Sequence, residues 1–191
     1  GGTGIFITST YYRTSLPKWV EKYNQQRLPE KYLSQQWTTL LPVNQYVESG
    51  PDNTPYERAL GGKAQPVLPY DLPSLRKPND YSLIYATPFG NDLLTEIAKA
   101  ALGGESLGAD NTTDFLTISY SSTDALGHSV GPNAVEIEDM YLRLDRNIED
   151  LLKTLDSKVG AGNYTLFLTA DHAVADVAQY MIDNRIPAGY F

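Results

Sequence analysis

The chain has 191 residues, 41% hydrophobic and 20% charged; about 70% of the unfolded surface of such a chain can leave water, which excludes a disordered or fibrous protein. A net charge of −8 with no local Lys/Arg cluster excludes a phosphate-backbone ligand, so no nucleic-acid partner is expected. The lack of Cys excludes disulfides, thiolate metal sites and a cysteine nucleophile, and no apolar run approaches the roughly 18 residues of a membrane span. Fourteen Tyr against five Phe suits half-buried surfaces and clefts.

The opening Gly1-Gly2-Thr3-Gly4 reads like the interior of a longer protein, with no signal peptide. It leads into a short β-prone run at Ile5–Thr8. Leu16–Asn24 reads as a short helix with Pro17 in its first turn. From Leu40 to Pro88 periodicity fails; eight of the twelve prolines fall there, and residues 40–88 are expected to form an irregular cap or insertion outside the core.

Residues 89–191 carry the regular part. Leu93, Leu94, Ile97, Ala98, Ala101 and Leu102 recur at helical spacing, with Gly103-Gly104 as a stop. Phe115–Tyr120 and Tyr164–Thr169 are continuous β-prone runs that read as strands buried on both faces. Between them, Ile137, Met140, Leu144, Ile148, Leu151 and Leu155 mark a long helix over Asn133–Leu155. This β-α-β order predicts an α/β fold with a mainly parallel sheet and a right-handed crossover. A last short helix is expected over Val177–Asn184.

The only two histidines each follow an expected strand and stand near an aspartate: Asp124 with His128, and Asp171 beside His172. In an open parallel sheet ligands gather at the carboxyl edge, where both pairs would fall. Imidazole nitrogen and carboxylate oxygen suit a borderline cation such as Zn²⁺. Taken singly, His128 also fits a hydrogen-bonded loop histidine, and Asp124 a turn cap. The shared edge and the use of both histidines favour metal ligation.

The pattern Asp124-x-x-Gly127-His128-x-x-Gly131-Pro132, then a long helix, then a strand ending in Asp171-His172, resembles the metal-binding half of the type I phosphodiesterases and the alkaline phosphatase superfamily. Ser9-Thr10-Tyr11-Tyr12, Leu16–Val20 and Thr87–Asn91 add a likeness to the phosphate-irrepressible alkaline phosphatases of bacteria, running through nearly the whole chain. The resemblance implies a partial alkaline-phosphatase-like domain over residues 1–191 and a two-metal, zinc-dependent hydrolase acting on small-molecule phosphate esters, periplasmic or secreted. Other divalent metals suit the same ligands. Asp124 and His128 would serve one metal, Asp171 and His172 the other.

The family's nucleophile, a Thr or Ser, its upstream Asp and its downstream His have no counterpart here, so the chain is expected to be an internal piece, itself inactive. Ser121, Ser122 and Thr123 read as turn or capping hydroxyls. Ala173 departs from the Gly that relatives often carry. Alternatives are a phosphodiesterase or nucleotide pyrophosphatase, a phosphonate or sulfate ester hydrolase, or, in another class, a non-catalytic scaffold or binding module with a residual metal site.

Overall fold

The computed structural model describes residues 2–78 and 80–190. Gly1, Asn79 and Phe191, which the readings of the amino end, the 40–88 segment and the 1–191 domain include, lie outside the described residues.

Helix α1, Lys18–Gln25, starts directly after Pro17, whose fixed φ suits the entry to a helix. Tyr23 on its buried face donates to the Leu93 carbonyl at 2.9 Å. A one-turn helix α2, Leu28–Tyr32, leads to the two-residue strand β1, Gln36–Trp37. That strand pairs antiparallel with β2, Tyr70–Asp71, in the register Trp37 to Tyr70. Helix α3 covers Leu72–Leu75. The long helices follow: α4, Pro88–Gly104; α5, Ser122–Val130; and α6, Val135–Leu155, continued by one π-helical turn to Gly160. Helix α7, Ala178–Asp183, closes the order.

Helices α4 and α6 fall where the apolar spacing predicts them. Both present an apolar stripe to the core, and burying such a stripe stabilises a helix more than its propensities do. Trp37, Tyr70, Leu72, Phe89, Leu126 and Met140 belong to one cluster, and Ala98, Leu102 and Leu151 make a smaller one between α4 and α6. The polar ends of the two largest core aromatics are met by α6 acids: Trp37 Nε1 donates to Asp139 at 2.7 Å and Tyr70 Oη to Glu136 at 2.8 Å.

The segment 40–88 is irregular, with three 3₁₀ turns besides β2 and α3. It nevertheless contributes Leu60, Tyr70 and Leu72 to the main core, because α6 carries carboxylates that can receive its polar groups. Glu138 accepts the N–H groups of Val47 and Ser49, and Asp139 those of Trp37 and Leu40.

The strands differ from expectation. Among the described residues the only ladder is β1 with β2; Ile5–Thr8, Phe115–Tyr120 and Tyr164–Thr169 carry no assigned strand. Their burial is a clear correction: Phe115 is 87% and Phe167 85% exposed. A two-face-buried strand needs neighbours on both edges and layers on both faces, and nothing among the described residues supplies them. The 115–120 run touches the helices through Ile118, which packs against the Ala98, Leu102 and Leu151 cluster, and through Tyr120 Oη and Thr95 Oγ1 at 3.1 Å.

Candidate metal centre

Asp124 and His128 lie on α5, a helix that the sequence reading does not predict. Leu126 and Val130 on the same helix are buried in the main core, which outweighs the weak helix propensity of Ser, Thr, Asp and Gly. A helical step of four puts Asp124 and His128 on one face, and Asp124 Oδ1 stands 3.5 Å from His128 Nε2. The helix ends at Gly131, where φ is +81°, a conformation that Gly adopts without cost.

Asp171 and His172 lie in the irregular stretch before α7. Asn133 holds that stretch to the start of α6 by donating to Asp176 at 2.9 Å. His172 Nε2 is 3.7 Å from Asp124 Oδ1 and 3.9 Å from Asp171 Oδ2. The structure therefore brings all four residues together, in a line from His128 through Asp124 to His172 and Asp171. It does so between α5 and the stretch before α7; no parallel sheet is present among the described residues.

The His172 Nδ1–H donates to the Ala173 carbonyl at 2.9 Å, which leaves Nε2 facing Asp124 in the neutral tautomer. That carbonyl, then Asp171 and Asp124, raise the His172 pKa above its ordinary value. All four side chains are exposed, from 46% for Asp124 to 93% for Asp171.

Two carboxylates and two imidazoles are a donor set that fits divalent cations of the zinc type. Among the described residues, no three of the four bring donor atoms within 4.8 Å of one another. Asp124 is the shared neighbour of the two imidazoles. Sequence reasoning missed a second acidic group, Asp52, Glu57 and Glu136, whose members share no spacing pattern.

Residues 3–188 match the family model described as type I phosphodiesterase / nucleotide pyrophosphatase. The chain belongs to that family, within the alkaline phosphatase superfamily, a group of phosphate-ester hydrolases. It is 48% identical over 189 residues to alkaline phosphatase PafA of Elizabethkingia meningoseptica, covering 99% of this chain and 35% of that protein. It is 47% identical over 187 residues to alkaline phosphatase PhoV of Synechococcus elongatus, covering 98% of this chain and 34% of the relative. The crystal structure of wild-type PafA superposes with a TM-score of 0.95 at 48% identity, over 99% of this chain and 36% of that one. The chain thus spans about a third of the length of the curated relatives it matches.

Proposed function

We propose that the whole protein is an exported, periplasmic or secreted, two-metal alkaline phosphatase that hydrolyses small phosphate monoesters. Asp124 and His128 hold one divalent ion, and Asp171 and His172 the other, with zinc as the natural occupant. The observation that carries this reading is Asp124 Oδ1 lying within 3.7 Å of both imidazole Nε2 atoms, in a chain that belongs to a phosphate-ester hydrolase family.

Metal ions in such a pair supply charge stabilisation to the attacking and leaving oxygens of an in-line displacement. This chain's residues prepare the site for them. Asp124 supplies negative charge between the two histidines, and the helical step fixes His128 relative to it. Hydrogen bonding to Ala173 orients the His172 ring and keeps Nε2 as the free donor atom. Each ion receives two ligands here, whereas catalytic zinc normally keeps three from the protein. The chain by itself should therefore bind zinc weakly and lack phosphatase activity, the nucleophile and remaining ligands belonging to the rest of the protein.

Two further parts of the reading concern architecture. The exposed runs 115–120 and 164–169 join a mainly parallel sheet in the whole protein, which accounts for their continuous apolar character. Residues 40–88 act as a rim shaping access to the metals: Tyr56 donates to Asp183 at 2.9 Å and packs edge-on against Tyr180 of α7, close in sequence to His172.

The family description also favours a second reading, a phosphodiesterase or nucleotide pyrophosphatase using the same two metals. Metal content of the purified whole protein, measured beside hydrolysis of an aryl phosphate monoester and a diester, tests both. Two ions per chain and monoester preference support the main reading; diester preference transfers support to the second. Hydrolysis without bound metal contradicts both.

A further inference from the structure

Asp52, Glu57 and Glu136 bring one carboxylate oxygen each within 4.8 Å of one another. Glu136, in the first turn of α6, is fully buried. One of its oxygens accepts the Tyr70 hydroxyl at 2.8 Å. The other, Oε2, is buried with no hydrogen-bond partner. Leaving a buried carboxylate oxygen unpaired is costly, and placing two more carboxylates beside it adds like-charge repulsion.

Among the described residues, no Lys or Arg forms an ion pair with Asp52, Glu57 or Glu136. Among the described residues, Lys63 is the nearby cation, and its ammonium is bonded to the Val67 and Pro69 carbonyls and rests 4.6 Å from the Tyr70 ring centroid. The remaining bonds in the group are local: Asp52 accepts its neighbour Asn53 N–H, and Glu57 accepts the N–H and hydroxyl of Thr54.

We propose that Asp52, Glu57 and Glu136 form a structural site for a hard divalent cation, Ca²⁺, which clamps the 50–58 loop to the start of α6. The donors are all oxygen, which Ca²⁺ prefers and softer metals do not require. Three carboxylates from a loop and a helix start suit the looser coordination of Ca²⁺, whereas Mg²⁺ demands near-ideal octahedral geometry and is usually held by one or two carboxylates and water. Tyr70 plays the outer-shell part by orienting Glu136. Full burial of Glu136 with one oxygen unpartnered, beside two further carboxylates, is an arrangement that a bound cation would compensate.

The loop concerned is fastened to the connection between α5 and α6. Gly50 N–H donates to Asn133 O at 2.7 Å and Arg58 N–H to Ser129 O at 2.9 Å. Ser129 adjoins His128, so Ca²⁺ would steady the backbone that carries one candidate metal ligand. The inference does not depend on the proposed catalytic function.

Terbium luminescence tests it, because Tb³⁺ occupies Ca²⁺ sites and Tyr70 stands within sensitising distance. In the whole protein at pH 8, saturable Tyr-sensitised emission that Ca²⁺ displaces is expected, with a Ca²⁺ Kd between about 10⁻⁵ and 10⁻³ M. A hundredfold excess of Ca²⁺ over Kd should raise the melting midpoint by roughly 2 °C or more. Asp52→Asn and Glu57→Gln, both at the outer side of the group, should each weaken Ca²⁺ binding at least about tenfold with the far-ultraviolet circular dichroism unchanged. Absence of emission and of any Ca²⁺ stabilisation up to 10 mM, as a shared proton alone would give, overturns the proposal. Emission and stabilisation that persist unaltered in both variants overturn it equally.

Discussion

Asp139 shows how a single acidic side chain can organise an irregular segment. It is fully buried and accepts from Trp37 Nε1, the Leu40 N–H, the Tyr46 hydroxyl and Arg143 Nε. Removing the acceptor would take a partner from four donors, one of them the charged Arg143, whose side chain is only 19% exposed, and would leave Trp37 Nε1 without its acceptor in the core. Asp139→Ala should therefore destabilise by about 3–5 kcal/mol, as for a broken buried ion pair, which corresponds to a fall of roughly 10 °C in the thermal midpoint. A midpoint within a degree or two of the parent would show that the segment is held by other means. This hub was not legible in the sequence, since three of its four partners lie some hundred positions away and two are main-chain or indole N–H groups. Asp124, His128, Asp171 and His172 were legible as a set for the opposite reason: the chain has two histidines only, and each stands by an aspartate. The Asp52, Glu57 and Glu136 group was invisible, because acids are frequent and only the folded chain joins residue 136 to residues 52 and 57.

Helix α5 depends on its packing against α4. A Cβ built on Gly90 would lie 2.0 Å from Ser122 Oγ and 2.8 Å from the Ile84 carbonyl, so the two helices meet where only hydrogen fits. Gly90→Ala should cost about 1–3 kcal/mol by overpacking. Because Ser122 is two residues from Asp124, it should also lower metal content in the whole protein by shifting α5. Unchanged stability and metal content would mean that α5 is not positioned by this contact. Tyr32 supplies a test of a different kind: its ring stacks on Phe89 of α4 at 5.5 Å, and burial, followed by repulsion from Asp92 and Glu96, pushes its hydroxyl up to about 12. A folded pKa above the unfolded value of about 10 gives stability that is complete below pH 10 and lost as pH rises through 12. Tyr32→Phe should accordingly flatten the decline in stability between pH 10 and 12, measured by urea unfolding; an identical slope would exclude Tyr32 as a contributor. At this scale periodicity found α4 and α6 well. It missed α5, whose helix is imposed by burial of Leu126 and Val130, and it promised strands at 115–120 and 164–169. Composition reports what a segment prefers to be buried in, but a ladder exists only where partners are present.

Across the whole molecule, two groups of side chains of the kind that hold cations sit in a chain of net charge −8 that belongs to a phosphate-ester hydrolase family over residues 3–188. The helical layer formed by α4, α5 and α6 fixes Asp124 and His128, while Asn133 and Asp176 draw in the stretch that carries Asp171 and His172. Since the chain spans about 35% of its PafA relative, the central claim must be tested on the whole protein. Asp124 is the residue to change, because it alone approaches both histidines. The decisive measurement is metal content by mass spectrometry of wild type and Asp124→Ala, read beside turnover of an aryl phosphate. The expected result is two divalent ions at the histidine sites of the wild type, loss of at least one in the variant, and a fall in turnover of about 100-fold or more. A variant that keeps both ions and near-normal turnover would contradict the account.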